Sequence, residues 1–257
     1  MATELESWSR PLFTPGGGEP FLFYVVFGAV DTAAGLSSST YRSDGVATGL
    51  TLSRYTSSDH AAVLDDFRQG YVWNEFQKGD QALATEDQTV FDVCLQLRGS
   101  PADATTLNYL RDSVGLLTFL LDQGGLAVYD PQMFKWWSPA EWRSRIFEPA
   151  AAVPTHHIAI LWSSEDDSER KWFHTRGMRK FGRPDISIHN VDPEREAGVI
   201  DLCSRFIQLQ AQGGIMPEGQ QIRMASLPSG GLVHHRGDLD DPDFNNVHIE
   251  ISWPTRP

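Results

Sequence analysis

The residues best suited to chemistry lie in one short segment, 170–183, which is strongly basic. Six of the chain's 21 Lys and Arg residues fall within these 14 positions, and His174 lies among them. Guanidinium groups present planar N–H donors that match carboxylate and phosphate oxygens. The segment therefore predicts a site that binds an anion or a charged partner. Its candidate residues are His174, Arg176, Arg179, Lys180 and Arg183.

The same cations have a second interpretation. The chain carries 34 acidic residues and a net charge of −13. Basic side chains in so acidic a protein can pair with its own carboxylates, and here they would join two halves of the molecule across an interface. An exposed turn and helix would favour recognition of an anion, whereas buried ion pairs would favour a structural role.

A second candidate is the acidic loop, residues 236–246. It contains Asp238, Asp240, Asp241 and Asp243, and carboxylate oxygens are the ligands that Ca²⁺ and Mg²⁺ prefer. The spacing differs from that of an EF-hand, because an isoleucine stands where the bidentate Glu is required. Asx turns between two strands are the alternative. No other cofactor is predicted.

The last strand suggests a third arrangement. His248 and Glu250 are two residues apart in an extended segment, so they share one face of the strand. Together with His234 or His235 from the preceding strand they could form a metal or acid–base site. Structural histidines on a polar strand face are the alternative.

Part of the basic segment resembles a known family. The stretch 174–185 contains Thr-x-Gly, then Phe-Gly, then Pro followed by an acid. These positions are Thr175, Gly177, Phe181, Gly182, Pro184 and Asp185. The pattern is similar to an element of bacterial proteins of the domain-of-unknown-function 4261 type, and the resemblance covers mainly residues 155–225. It implies a cytoplasmic bacterial α/β protein and no particular reaction.

The elements that must position these residues follow from hydrophobic periodicity. Apolar residues recur at helical spacing over 101–122 and over 193–211. The first helix is predicted to start at Ser100 and Pro101, which suit an N-cap and the first helical turn. It lies between extended segments 90–97 and 126–129, so those two strands are expected to be parallel.

These patterns predict an α/β to α+β fold with mixed sheets and flanking helices. The expected organisation is a flexible lead over 1–19, an N-terminal α/β half over 20–147 and a C-terminal α/β half over 155–257, closely packed. Both long helices end in Gln-Gly-Gly, which is consistent with a duplication of related halves or simply with glycine as a common helix stop.

Composition narrows the function classes. The net charge of −13 argues against a general nucleic-acid binder. No apolar run is long enough for a membrane span, and the N-terminus lacks the pattern of a signal peptide. The two cysteines form no disulfide framework. A cytoplasmic location is therefore expected, with no membrane association.

The expected function is that of a non-catalytic binding, accessory or immunity-type module. It would recognise a protein partner through charged and aromatic surfaces. The alternative is an enzyme that acts on a phosphate- or carboxylate-bearing substrate, with a metal as one option. No recognised catalytic motif is present to decide between them. A phosphate or metal bound in a pocket where the basic segment and the acidic loop converge would favour the enzyme. Separation of the two segments by more than about 15 Å, with no concave site between them, would favour the binding module.

Overall fold

The computed structural model describes residues 5–31, 34–79, 91–165, 169–227 and 230–253. The chain divides into two compact units. Unit 1 comprises Met1–Trp8, Phe21–Ala102 and Thr106–Val153. Unit 2 comprises Ser9–Pro20, Asp103–Thr105 and Pro154–Pro257. Each unit is built on its own sheet with helices, which confirms the α+β class.

In its described residues, unit 1 contains five strands and five short or medium helices. The strands are β1 Leu22–Phe27, β2 Leu50–Thr56, β3 Val93–Gly99, β4 Ala127–Asp130 and β5 Lys135–Trp137. The helices are α1 Ser38–Tyr41, α2 Ser57–Asp65, α3 Gly70–Gly79, α4 Asn108–Asp122 and α5 Pro139–Trp142, which continues as a π-helical turn over Arg143–Phe147.

The sheet of unit 1 is antiparallel throughout, in the order β2-β3-β1-β4-β5. Strands β3 and β4 run in the same direction, as expected, but β1 lies between them and pairs with both. The predicted strand–helix–strand unit is therefore split by the first strand. The sequence patterns of β3 and β4 predict that each is a strand, but they do not show that β1 lies between them.

Helix α4 begins at Asn108, seven residues after the predicted start. Ser100 and Pro101 do not cap it. The intervening Asp103 belongs to unit 2, where it binds two buried arginines instead of a helix N-terminus. Every residue over 109–121 is buried. Helix α4 is therefore buried on all sides, whereas the sequence predicted one buried apolar stripe.

The described part of unit 2 contains six strands and one long helix. The strands are β6 Ala159–Ser164, β7 Lys171–Arg176, β8 Asp185–Val191, β9 Gln221–Ile222, β10 Gly231–Arg236 and β11 His248–Ser252. The helix is α6 Glu196–Ala211, and short 3-10 turns cover Pro154–His156, Met178–Phe181 and Pro193–Arg195. The sheet order is β6-β7-β8-β11-β10-β9, and only the β8–β11 pair is parallel among the described strands.

The apolar residues that recur at helical spacing are buried in both units, although in α4 the rest of the helix is buried as well. In unit 1 they are Leu107, Leu110, Val114, Leu117 and Leu121. In unit 2, α6 packs through Val199, Leu202 and Phe206 against the apolar face of the sheet. The two sheets differ in strand number and order. The shared Gln-Gly-Gly is explained by capping, since Gly124 and Gly213 both have a positive φ.

Residues 9–20 are a packed part of unit 2, which corrects the expectation of a flexible lead. They have no regular structure beyond one bridge, but their backbone is bound at several points. Leu12 N donates to Gln212 O, and Thr14 N donates to Gly213 O, each at 3.0 Å. Arg10 is almost completely buried. Residues 1–4 of the predicted lead lie outside the described residues.

Candidate functional site

The sheet of unit 2 has two unlike faces. Helix α6 covers an apolar face that includes Phe173, Ile186 and Ile249. On the opposite face of the sheet, strand pairing places His174 beside Ser187 and His248 beside Asp185. Glu250 of β11 lies on this face too, between Ser187 of β8 and His234 of β10. We call this second side the polar face. Its members are Trp172, His174, Arg176, Asp185, Ser187, His189, His234, His248 and Glu250.

Five rings form an aromatic cluster on the polar face: Trp172, His174, His189, Phe244 and His248. The ring of Trp172 stacks with those of His174 and His189, at centroid distances of 4.1 and 5.1 Å. Phe244, from the acidic loop, stacks on His248 at 4.3 Å and meets His174 edge-on at 5.8 Å. The indole Nε1 of Trp172 donates to Ser187 Oγ at 2.9 Å. This bond fixes the indole at the centre of the cluster.

Two imidazoles of this cluster are neutral near pH 7. Burial, together with the nearby Arg176, lowers the pKa of His174 to about 4. Burial also lowers the pKa of His248, although Asp241 opposes the change. Among the described residues, the Nδ1 atom of each ring is buried and finds no hydrogen-bond partner. Both atoms lie on the polar face, and Asp241 Oδ2 lies 3.7 Å from His248 Nδ1.

The basic segment and the acidic loop converge at this face. Arg176 is largely buried, and burial lowers its pKa while Asp185, Asp243 and Asp241 raise it. Arg179 Nη1 donates to the backbone oxygen of Asn245 in the acidic loop at 3.0 Å. The two charged segments singled out in the sequence therefore belong to one site, where they compensate each other.

Two of the predicted anion-binding residues are structural, which corrects that part of the prediction. Lys180 is 0% exposed, and its Nζ donates to His157 O at 2.9 Å. Arg183 is 1% exposed and donates to backbone oxygens of residues 14, 182, 213 and 214. It also pairs with Asp103 at 3.0 Å, and Arg10 pairs with the same carboxylate. These side chains hold unit 2 together internally.

The remaining cations of the segment, Arg170 and Lys171, are also paired. Arg170 contacts Asp192 at 3.1 Å, and Lys171 contacts Glu196 at 2.7 Å near the start of α6. Internal pairing, the second interpretation of the basic segment, therefore describes these two residues as well. Of the predicted set, His174, Arg176 and Arg179 remain close to the polar face.

Asp185, the last residue of the family-like pattern, is the centre of a buried cluster of hydrogen bonds. Its carboxylate accepts hydrogen bonds from Thr175 Oγ1 at 2.9 Å, Met178 N at 3.2 Å and Asn246 Nδ2 at 2.8 Å. Gly177 has φ +112°, and a Cβ there would lie 3.0 Å from a backbone oxygen. The pattern thus has a structural explanation, because it turns the chain between β7 and β8 around one carboxylate.

The acidic loop forms Asx turns. Asp238 Oδ1 accepts a hydrogen bond from Asp240 N, and Asp241 Oδ1 accepts one from Asp243 N, each at 2.9 Å. Within the described part of the chain, no group of three or more His, Cys, Asp and Glu side chains is placed to hold a metal ion. The calcium or magnesium site at these aspartates stays a prediction.

The third predicted arrangement combined His248 and Glu250 of β11 with a histidine of β10. Strand pairing does place Glu250 opposite His234. Their side chains have other partners, however. His234 Nδ1 lies 3.0 Å from Glu218, and Glu250 lies 3.6 Å from Arg236. His235 is outside the arrangement, and its Nε2 contacts Met216 O. A three-residue site of these groups is not assembled among the described residues.

Sequence reasoning missed three members of the aromatic cluster: Trp172, His189 and Phe244. A signal existed for Trp172, because it alternates with His174 and Arg176 along one extended segment and must share their face. No local pattern could place Phe244, which reaches the cluster from a loop about 70 residues further along the chain. Both cysteines, by contrast, are free and buried. Burial raises the pKa of Cys94 to about 11 and that of Cys203 to about 12, so neither is a thiolate at neutral pH.

Comparisons with models of known protein families, with curated proteins and with solved structures return no match for this chain. Among the described residues, none of the helices combines the length and the apolar character that a membrane crossing requires. The functional argument therefore rests on the chemistry of the site.

Proposed function

We propose that this protein is a cytoplasmic, non-catalytic binding module of the accessory or immunity type. It recognises a protein partner through the polar face of unit 2. The observation that supports this best is the aromatic cluster, whose central Trp172 is half-buried and held by stacking and by a hydrogen bond. The buried free cysteines are compatible with a reducing compartment.

A protein partner fits this cluster because rigid aromatic anchors dominate binding at protein interfaces. Tryptophan is enriched among residues whose truncation costs most affinity. Such anchors work best where the surrounding residues exclude water and a polar rim lies outside them. Here the imidazoles of His174 and His189 flank the anchor, and His189 is largely exposed.

The rim charge indicates the sign of the partner. Asp238, Asp240 and Asp243 are exposed in the acidic loop that supplies Phe244 to the cluster. The chain as a whole carries a net charge of −13. A basic contact surface on the partner complements this rim and speeds association. Nucleic acid, which is itself polyanionic, does not suit it.

The test begins with a photo-crosslinking amino acid at position 189 of the full chain, which identifies the partner in a lysate of the source cells. The dissociation constant of the purified pair is then measured. Trp172→Ala is expected to weaken binding by about 30-fold, the effect of losing an interface anchor. The matched control is Trp162→Ala, which removes a 57% exposed tryptophan from the same sheet. This control should change affinity less than about twofold.

The charge of the rim is tested on the same pair. Asp240→Lys should slow association at low salt, and the effect should shrink as salt screens the charges. Circular dichroism verifies that each variant is folded. A folded Trp172→Ala protein that binds the crosslinked partner as tightly as the wild type would refute the proposal.

A second candidate function is an enzyme that acts on a phosphate- or carboxylate-bearing substrate. It is favoured by the convergence of Arg176 and Arg179 with two unsatisfied imidazole Nδ1 atoms. Neutral imidazoles can accept protons, and guanidinium groups can hold an anion. Inorganic phosphate should then shift the His174 and His248 ring signals saturably in NMR spectra. Arg179→Met should weaken this response, whereas Arg205→Met on the exposed side of α6 should not.

A further inference from the structure

Unit 1 contains a cavity of about 350 Å³ that lies outside the site described above. It is bounded by α3, by the turn before β5 and by the start of α5. Four of its lining residues are aromatic: Tyr71, Phe76, Phe134 and Trp136. Its volume falls in the range of small-ligand sites, which bury a compact molecule among apolar and aromatic side chains.

The inner wall of the cavity is fixed. Phe76 stacks on Trp136 with a centroid distance of 4.7 Å and an interplanar angle of 18°. Trp136 also stacks on Tyr129, again at 4.7 Å. Rings locked between two neighbours cannot rotate freely, so the wall is organised before any ligand arrives. Such preorganisation lowers the entropy cost of binding.

The outer wall of the cavity consists of exposed rings. Tyr71 is 75% exposed and Phe134 is 43% exposed, although both are large aromatic side chains. Phe134 also has φ +54°, in the left-handed region that a bulky residue rarely adopts. Strained residues of this kind concentrate at ligand clamps. The mouth of the cavity is therefore lined by aromatic rings that are exposed and are not part of the hydrophobic core of unit 1.

The polar residues of the lining favour positive charge. Two carboxylates, Glu75 and Glu141, line the cavity with one ammonium, that of Lys135. Lys135 binds Glu141 at 2.9 Å and lies 4.5 Å from the centroid of Trp137, a ring that is not part of the lining. Arg145 Nε, from outside the lining, lies 3.9 Å from Glu141. Among the described residues, Glu75 pairs with the exposed Lys78 at 2.8 Å, and such surface pairs are weak. The carboxylate of Glu75 is thus available to a ligand.

We propose that this cavity binds a small organic cation with an alkylated ammonium group, of about the size of choline. Aromatic faces carry negative electrostatic potential and attract ammonium groups within about 6 Å, most strongly where the cation is desolvated. Alkylation makes the cation compatible with apolar walls, and the carboxylate of Glu75, whose surface pair with Lys78 is weak, supplies the counter-charge. A neutral ligand of the same shape would lack this attraction.

Isothermal titration of the full chain tests this with choline, tetramethylammonium and the uncharged isostere of choline, in which a tert-butyl group replaces trimethylammonium. Both cations should bind saturably. The isostere should bind about tenfold or more weakly, because it has the same shape without the charge. Equal affinity of choline and its isostere would overturn the proposal, as would the absence of saturable binding of both cations.

Two variants locate the binding. Tyr71→Ala and Glu75→Gln alter exposed positions of the lining, so the fold should survive. Each should weaken choline binding by about threefold or more, the effect of one ring or one counter-charge. The matched controls, Trp162→Ala and Asp201→Asn, lie in unit 2 and should leave affinity unchanged. Equal losses in lining and control variants would contradict the site. This outcome is independent of partner binding at the polar face.

Discussion

At the scale of single residues, Asp185 belongs to the sequence pattern that resembles a known family, and its role in the structure is to organise the turn between β7 and β8. Its carboxylate is fully buried and accepts three hydrogen bonds, from β7, from the following turn and from Asn246. These bonds and Arg176 lower its pKa, but the loss of hydration is larger. Burial therefore raises the pKa of Asp185 to about 6.

Titration of Asp185 is expected to oppose stability as the pH rises. Its pKa of about 6 in the folded state exceeds its ordinary value of 3.8. Between these values the native state holds a proton that the unfolded chain has released. The contribution of this group to stability is therefore complete below about pH 4 and is lost as the pH approaches 6, a change of roughly 3 kcal/mol.

Carbon NMR of the aspartate carboxyl groups measures this pKa directly. One carboxyl signal should titrate near pH 6 and should be absent from the spectrum of Asp185→Asn, which assigns it. If the signal that disappears in this variant titrates near pH 4 in the wild type, burial does not dominate its environment.

At the scale of elements, Asp103 explains why α4 begins later than the sequence predicts. Asp103 suits the first turn of a helix beginning at Ser100. In the structure its carboxylate binds Arg10 and Arg183, two side chains that are buried in unit 2. Leaving two guanidinium groups buried without a counter-charge would cost more than a helix N-cap supplies. The helix therefore begins later.

Replacement of Asp103 tests the importance of this ion cluster. Asp103→Asn keeps the size of the side chain but removes the charge, so it should lower the free energy of unfolding by about 3–5 kcal/mol. The control is Asp201→Asn, which removes an exposed partner of Arg205 on α6 and should cost less than about 0.5 kcal/mol. Denaturant unfolding monitored by tryptophan fluorescence compares them. Similar midpoints for the two variants would show that the cluster contributes little.

At the scale of the whole molecule, the units do not correspond to continuous halves of the chain. Residues 9–20 and 103–105 precede the predicted boundary between residues 147 and 155, yet they belong to unit 2. They supply Arg10, Asp103 and the carbonyl oxygen of Thr14, to which Arg183 donates at 3.1 Å. The second half of the sequence is therefore incomplete as a folding unit, although the sequence predicts a simple boundary between residues 147 and 155.

A fragment of residues 154–257 is accordingly expected to fold poorly by itself. It would contain Arg183 without Asp103, and α6 without the backbone bonds that Leu12 and Thr14 make to its C-terminal end. Its NMR amide signals should be poorly dispersed, and its thermal unfolding should lack a cooperative transition. Addition of a peptide covering residues 9–20 should not restore the full stability, since Asp103 would remain absent. A well-dispersed spectrum of the fragment would contradict this.

The sequence by itself determined the local elements. Periodicity predicted buried residues of α4, the core face of α6 and the alternation in β11, because side-chain direction repeats with the backbone. It also identified a basic segment and an acidic loop as unusual. Net charge and apolar content indicated the broad class of protein, since these quantities depend on composition alone.

Only the tertiary structure decided which charges are internal and which residues meet. Lys180 and Arg183 look identical in sequence to exposed cations, and their burial depends on carbonyl groups from distant segments. Trp172 and Phe244 meet through the fold of the acidic loop over the sheet. Strand β1 entered between β3 and β4 for the same reason. Pairing partners are chosen by long-range packing, which no local spacing encodes.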